Sequence, residues 1–156
     1  MKRLRKNRFP DSVDWQILSE LQRNARVPFA ELGRRVGLSA PAVTERVRRL
    51  EDAGIITGYH ATVDLARIGR PIQAIIRLGN PGDRTERLLE LIREMPEVLD
   101  CHTITGDESF VVRVAVRSVD HLEHLIRILE PYATTTTSLV LSSPVMRHEI
   151  GPLEVG

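Results

Sequence analysis

FAELGRRVGLSAPAVTERVRRLEDA, residues 29–53, divides at a glycine into two short helical patterns. In the first, Phe29, Leu32 and Val36 recur at helical spacing and are expected to be buried. Gly37 then falls where a helix C-terminus needs a residue tolerant of positive φ, and Leu38 plugs the turn. Ser39 is a good N-cap for the next helix, with Pro41 in its first turn, where a missing N–H costs nothing. Val43, Val47 and Leu50 lie at i, i+4 and i+7 and must face inward. Ala42, Thr44, Glu45, Arg46, Arg48 and Arg49 are thereby turned toward or around the solvent. The helix runs to about Ala53 and ends at Gly54. Two short helices joined by a glycine turn, the second small and polar at its start and arginine-bearing further along, match the pair that enters a major groove. Small residues let the backbone approach base edges, and each arginine can pair with a phosphate or reach guanine. The reading puts Ser39, Ala40, Ala42, Thr44 and Arg46 nearest the bases and Arg34, Arg35, Arg48 and Arg49 on phosphates. A plain three-helix scaffold with an arginine-rich face is the alternative.

Upstream, Asp11 or Ser12 caps a helix whose Val13, Ile17, Leu18, Leu21 and Ala25 form one apolar stripe, and Pro28 stops it or starts the next. The chain as a whole has 156 residues, 42% of them hydrophobic, enough for packed cores. Its net charge of +1 hides a division: residues 1–50 hold 12 Lys and Arg against 5 Asp and Glu, net +7, and the rest hold 10 against 16, net −6. A basic module joined to an acidic one suggests that only the first meets a polyanion. The basic run Lys2, Arg3, Arg5, Lys6 and Arg8 leads into Pro10 and Asp11, not an apolar signal core. It reads as an arm along the nucleic-acid backbone or minor groove, or as a disordered tail. No window approaches a membrane span, and the lone Cys101 agrees with a reducing compartment, so a cytoplasmic location is expected.

After a loosely alternating linker, residues 55–70, strands and helices alternate. Strands are expected at 71–78, 98–105, 110–117 and 134–142, and helices at 84–95 and 119–129. The order β-α-β-β-α-β is that of a ferredoxin-like split fold, in which two helices cover one face of a four-stranded antiparallel sheet. The domains expected are a helix-turn-helix unit over 1–54, with its arm at 1–10, the linker, and an α/β domain over 71–156. If the helices pack beneath the alternate positions, Ile75, Val111, Ala115 and Val140 point the other way and leave an apolar sheet face that a second subunit would hide.

The residues resemble one family, the Lrp/AsnC or feast/famine transcription regulators. The likeness begins at Asp11, Asp14, Ile17, Leu18 and Leu21. It continues through Asn24, Ala25, Arg26, Glu31, Leu32, Val36, Gly37, Leu38 and Ser39. It then includes Val43, Arg46, Val47, Leu50, Glu51, Gly54, Ile56, Gly58, Tyr59, Ala61, Val63, Asp64 and Gly69. The resemblance implies an α+β chain, a winged-type helix-turn-helix followed by the ferredoxin-like domain. It also implies a bacterial regulator that binds sequence-specific double-stranded DNA as a homodimer, assembling into octamers or other multimers. Two departures stand out: Pro28 holds the usual Ser/Thr helix-start position, and Gly33 replaces the usual Ala. In the family, the loop corresponding to Thr105, Gly106, Asp107, Glu108 and Ser109 lies between dimers and helps bind an amino-acid effector, often with an aspartate where this chain has Ser109. Asp107 or Glu108 is then a candidate partner for an α-amino group, with Thr136 and Ser138 of the polar run 134–138 contributing. Read on chemistry alone, Gly106 permits a turn, the acids are solvated and the threonines follow β-propensity.

Other chemistry finds little support. His121 and His124 have a metal-compatible spacing, but no thiol or carboxylate set converges with them, and no metal is expected. Cys101 and His102 are neighbours in a strand and point to opposite faces, so they form no activated pair. No phosphate loop, ordered triad or paired acids point to an enzyme or to a cofactor beyond the effector. The central strands lack the aromatic platform of an RNA-binding split fold. A DNA-condensing protein without sequence preference is the remaining alternative.

Overall fold

The computed structural model describes residues 10–146 and 148–153. The basic arm expected over 1–10 therefore lies outside the described residues, apart from Pro10. The chain divides into two compact units: one ends at Thr62 and takes in the segment from Val145 onward, and the other is Val63–Pro144. The tail, expected to belong to the α/β domain, thus groups with the helical unit. The Gln22 side-chain amide explains why: it donates to the Ile150 carbonyl at 3.0 Å and accepts from the Ile150 N–H at 2.9 Å.

Three helices build the first unit: α1 Ser12–Arg23, α2 Phe29–Val36 and α3 Ala40–Asp52. Asp11 caps α1 through a reciprocal box with Asp14, each side chain accepting the other's backbone N–H. Pro28 begins α2 with no side-chain cap, and Gly37 closes it at φ 73°. Ile17, Leu18, Leu21, Val27, Leu32, Val43, Val47 and Leu50 form the core. Val13 and Val36, also expected in it, are half-buried against this core, and two further expected members are exposed. Phe29 is exposed, because Pro28 at the N-cap makes it the first helical residue and the inward face begins at Leu32. Ala25 is exposed because α1 stops at Arg23, and Val27 fills the space instead. Beyond α3 the described residues of this unit contain no strand; Ile56 folds back, its N–H donating to the Leu50 carbonyl at 3.1 Å.

In the second unit the elements are β1 Ile72–Gly79, a 3-10 turn Gly82–Arg84, α4 Thr85–Glu94, β2 Val98–Thr103, β3 Glu108–Val116, α5 Val119–Leu129 and β4 Thr135–Leu139. The strands form one antiparallel sheet in the order β2-β3-β1-β4, the ferredoxin-like arrangement expected. Ala74, Ile76 and Leu78 pair with Val114, Val112 and Phe110, and these face Leu88, Ile92, Leu122, Leu125 and Leu129 from the helices. Each such burial is worth about 1.5–3 kcal/mol, which fixes the strand parity, since a one-residue slip would expose the whole set. Cys101 packs against this core, and burial pushes its thiol above the ordinary value.

The opposite sheet face is less uniform than expected. Ile75 sits across from Arg113, Arg77 from Val111, and Gln73 from Ala115. Arg113 holds Asp100 of β2 with its Nε 2.9 Å from both carboxylate oxygens. The expected apolar residues are therefore interleaved with charge; Ile75, Val111 and Val140 are only half-buried there, but Ala115, expected on the open face, is fully buried within the chain and offers nothing to a second subunit.

Candidate functional site

The start of α3 is built for close approach. The Ser39 hydroxyl accepts from the Ala42 N–H at 3.4 Å, and Pro41 lies within the first turn. Gly33 brings the turn in: a Cβ there would lie 2.5 Å from the Leu38 carbonyl oxygen, whose residue donates its own N–H back to the Gly33 carbonyl at 2.8 Å. Gly33 thus permits a tight contact between α2 and the turn. Inward, Val43, Val47 and Leu50 are fully buried, so α3 cannot rotate without opening the core. Outward stand Thr44, Glu45, Arg48 and Arg49, all exposed, with Ala40 and Ala42 half-buried at the tip. The Thr44 hydroxyl donates to the Ala40 carbonyl at 2.9 Å, which orients its lone pairs outward from the helix.

Arg46 departs from expectation. Its Nη1 lies 2.6 Å from Asp14 Oδ1 and 2.9 Å from Asp11 Oδ2, and Asp14 is fully buried. The side chain expected near the bases instead ties α3 to the N-terminus of α1, because two carboxylates fixed by the capping box need a cation. The Asp14 N–H, opposed by partial burial and aided by Arg46, holds the Asp11 carboxyl below its usual range. Bonds from Asp11 and then Asp14 hold Arg46 above its own. Asp11 was visible in the sequence as a candidate cap beside Ser12; the role of Asp14 in the box, and Arg46 as the partner of both acids, are revealed only by the structure.

The other arginines remain outward but are braced. Arg35 Nε lies 3.0 Å from Glu31 and its Nη1 2.5 Å from Glu20, Arg34 pairs with Glu31, and Arg48 Nη2 lies 3.2 Å from Glu45. Arg35 and then Arg34 keep the Glu31 carboxyl below its ordinary range. Solvent-exposed pairs of this kind add little to stability, so they bias the guanidinium positions while a phosphate can displace them.

On the second unit, Thr105, Gly106 and Asp107 form the exposed hairpin, with Gly106 at φ 118° and the Ile104 N–H donating to the Ser109 carbonyl at 2.9 Å. Glu108 and Ser109 begin β3, where the register with β1 slips between Leu78 and Gly79. Thr136 and Ser138 lie on the face away from the helices, opposite Arg77 and Ile75. Arg77, which the sequence did not single out, joins them: its Nη2 donates to Ser138 Oγ at 3.4 Å, and its Nε lies 3.5 Å from Glu108. Strand parity alone could have turned Arg77 to this face; its three neighbours depend on register.

Residues 11–51 match the AsnC-type helix-turn-helix domain, and residues 73–150 match the Lrp/AsnC ligand-binding domain. The chain belongs to the Lrp/AsnC family of transcriptional regulators. This regulator is 42% identical to the HTH-type transcriptional regulator YezC of Bacillus subtilis over 133 residues, 85% of this chain and 94% of that one. Its fold is similar to the structure of LrpC from the same organism, with a TM-score of 0.84, 34% identity, and coverage of 88% of this chain and 98% of that one. A transcriptional regulator of Neisseria meningitidis solved as a complex with L-Met also has a TM-score of 0.84, at 29% identity over 92% and 97% of the two chains. The regulator has no helix, among the described residues, long and apolar enough to cross a membrane. His121 meets Glu97 at 2.9 Å rather than His124, and the described residues contain no group of three metal-ligating side chains.

Proposed function

We propose that this Lrp/AsnC regulator reads duplex DNA with the turn and the outer side of α3, as a homodimer whose affinity responds to an amino acid. Ser39, Ala40, Ala42 and Thr44 lie at the base edges, and Arg34, Arg35, Arg48 and Arg49 lie on phosphates. Arg46 positions α3 from behind. The observation that carries the reading is the two-sided character of α3: three aliphatic side chains lock its inner side, and small, hydroxyl and arginine side chains occupy its outer side. Two copies are needed because one short helix supplies too few contacts for a specific site. The half-buried Ile75 and Val140 on the sheet face support self-association there, and higher multimers such as octamers build on that dimer. The effector lies at the Thr105–Ser109 hairpin beside Thr136 and Ser138. The L-Met complex of the Neisseria protein supports an amino acid as its class.

Selection from a random duplex library tests this. Full-length protein should enrich a motif with approximate two-fold symmetry and hold it against a large excess of random duplex. Enrichment of no motif, with binding abolished by that excess, would favour a DNA-condensing protein and overturn the regulator's proposed mode of recognition.

A further inference from the structure

A carboxylate stands in the middle of the surface proposed above to face a polyanion. At about 100° per residue, Glu45 lies almost diametrically opposite the buried Val43 and Val47, with Arg48 and Arg49 one turn on, to either side of it. Residues 40–50 hold no other acid. Asp11 and Asp14 are occupied by Arg46, and Glu51, further along the helix, accepts from the Tyr59 hydroxyl at 2.8 Å. Glu45 meets Arg48, whose Nη2 lies 3.2 Å from each of its oxygens, and the two side chains stay 57% and 63% exposed. So open a pair adds little to the helix, and Arg48 gives it up on moving to a phosphate. A bare carboxylate among phosphates lowers affinity for every duplex, so helix support is a poor account of its place.

We infer that Glu45 is a specificity-determining residue, whose carboxylate accepts a hydrogen bond from the N4 amino group of a cytosine in the major groove. The inference rests on the DNA-reading mode proposed above. In the free protein the carboxylate is satisfied by Arg48 and by water. When Arg48 moves to the backbone and the duplex excludes that water, the carboxylate needs an N–H donor on a base edge. The major groove offers two, the amino groups of cytosine and adenine; guanine O6 and N7 and thymine O4 are acceptors that repel it. Adenine sets its N7 acceptor beside its amino group, whereas cytosine presents the amino group without an acceptor of its own. Cytosine is therefore the base at which Glu45 regains a partner without meeting a lone pair. Over any other base the carboxylate is desolvated and unpaired, and that penalty rejects the site. Glu45 thus acts chiefly by excluding wrong sequences, while Thr44, offset around the helix, reads a different position.

Duplex selection with the full-length native protein, Glu45→Ala and Glu45→Gln tests this. The native motif should require cytosine at one position of each half-site. Glu45→Ala should cut the preference there about fivefold or more, keep the other positions, and bind random duplex more tightly than the native protein does. Glu45→Gln should shift the same position toward adenine, because an amide pairs with adenine N6 and N7. A residue that only supported the helix would leave base preference unmoved. On native protein, N4-methylcytosine at that position removes the amino hydrogen that points into the groove and should weaken binding about fivefold or more. This arm decides the matter even if a variant misfolds. A native motif without a required cytosine, the same preference in all three proteins, or unchanged binding to the methylated duplex would overturn the inference and leave the α3 reading in place. Enrichment of no motif by the native protein would remove both.

Discussion

At Arg46 a cation serves the fold on a helix whose neighbouring cations face outward. Its Asp14 partner retains 1% side-chain exposure, while Arg46 itself keeps 24%. Removing the guanidinium leaves a buried carboxylate without its counter-charge, and Arg46→Met should cost on the order of 3 kcal/mol, the lower end for buried pairs because one partner still meets water. The pH dependence has a definite sign. Asp11 titrates below its ordinary 3.8 in the folded state, so its stabilisation is complete above that value and is lost as pH falls through the lower, folded one. Urea melts from about pH 6 down to about pH 2 should show native stability falling in that acid window, with a shallower fall in Arg46→Met. The capping bond from the Asp14 N–H remains in the variant, so the dependence should shrink rather than vanish. Arg46 variants that kept full stability would return this residue to the DNA face.

The helices of the first unit carry their own punctuation: Asp11, Ser39 and Gly37 mark boundaries that the structure places at the same turns. On α3 the division of labour is testable. Arg48→Ala should weaken binding to every duplex and flatten the logarithmic salt dependence by about one unit, whereas Thr44→Ala should change the preferred base at one position of each half-site. Filter binding across a salt series, repeated on the selected site and on its single-base variants, separates the two; identical losses on all sequences for both would refute the division. The element boundaries were legible because they depend on neighbours in the chain. Phe29 was misplaced because one residue of phase at Pro28 decides whether it faces in or out. Arg46 was misplaced because helical periodicity gives an angle about the axis, not the acids waiting on another helix. Arg77 was overlooked for the same reason in a sheet, since its significance lies in β3 and β4, over thirty and about sixty residues away.

For the whole molecule, the charge division and the element order were enough to separate a polyanion-binding unit from a ferredoxin-like one. They were not enough to place the tail, whose bonds to Ser19, Gln22 and Arg23 join residues more than a hundred positions apart. Those bonds add Glu149 and Ile150 to the side of the helical unit formed by α1, and leave the outer residues of α3 exposed. In the proposed reading duplex meets the described surface where small side chains at the tip of α3 stand beside outward arginines. Hydrogen–deuterium exchange of the full-length protein, with and without the selected duplex, tests this surface most directly. Binding should slow exchange most strongly over residues 37–49, the turn and the outer part of α3. Tight binding that left this segment unchanged and protected another part of the chain would contradict the account.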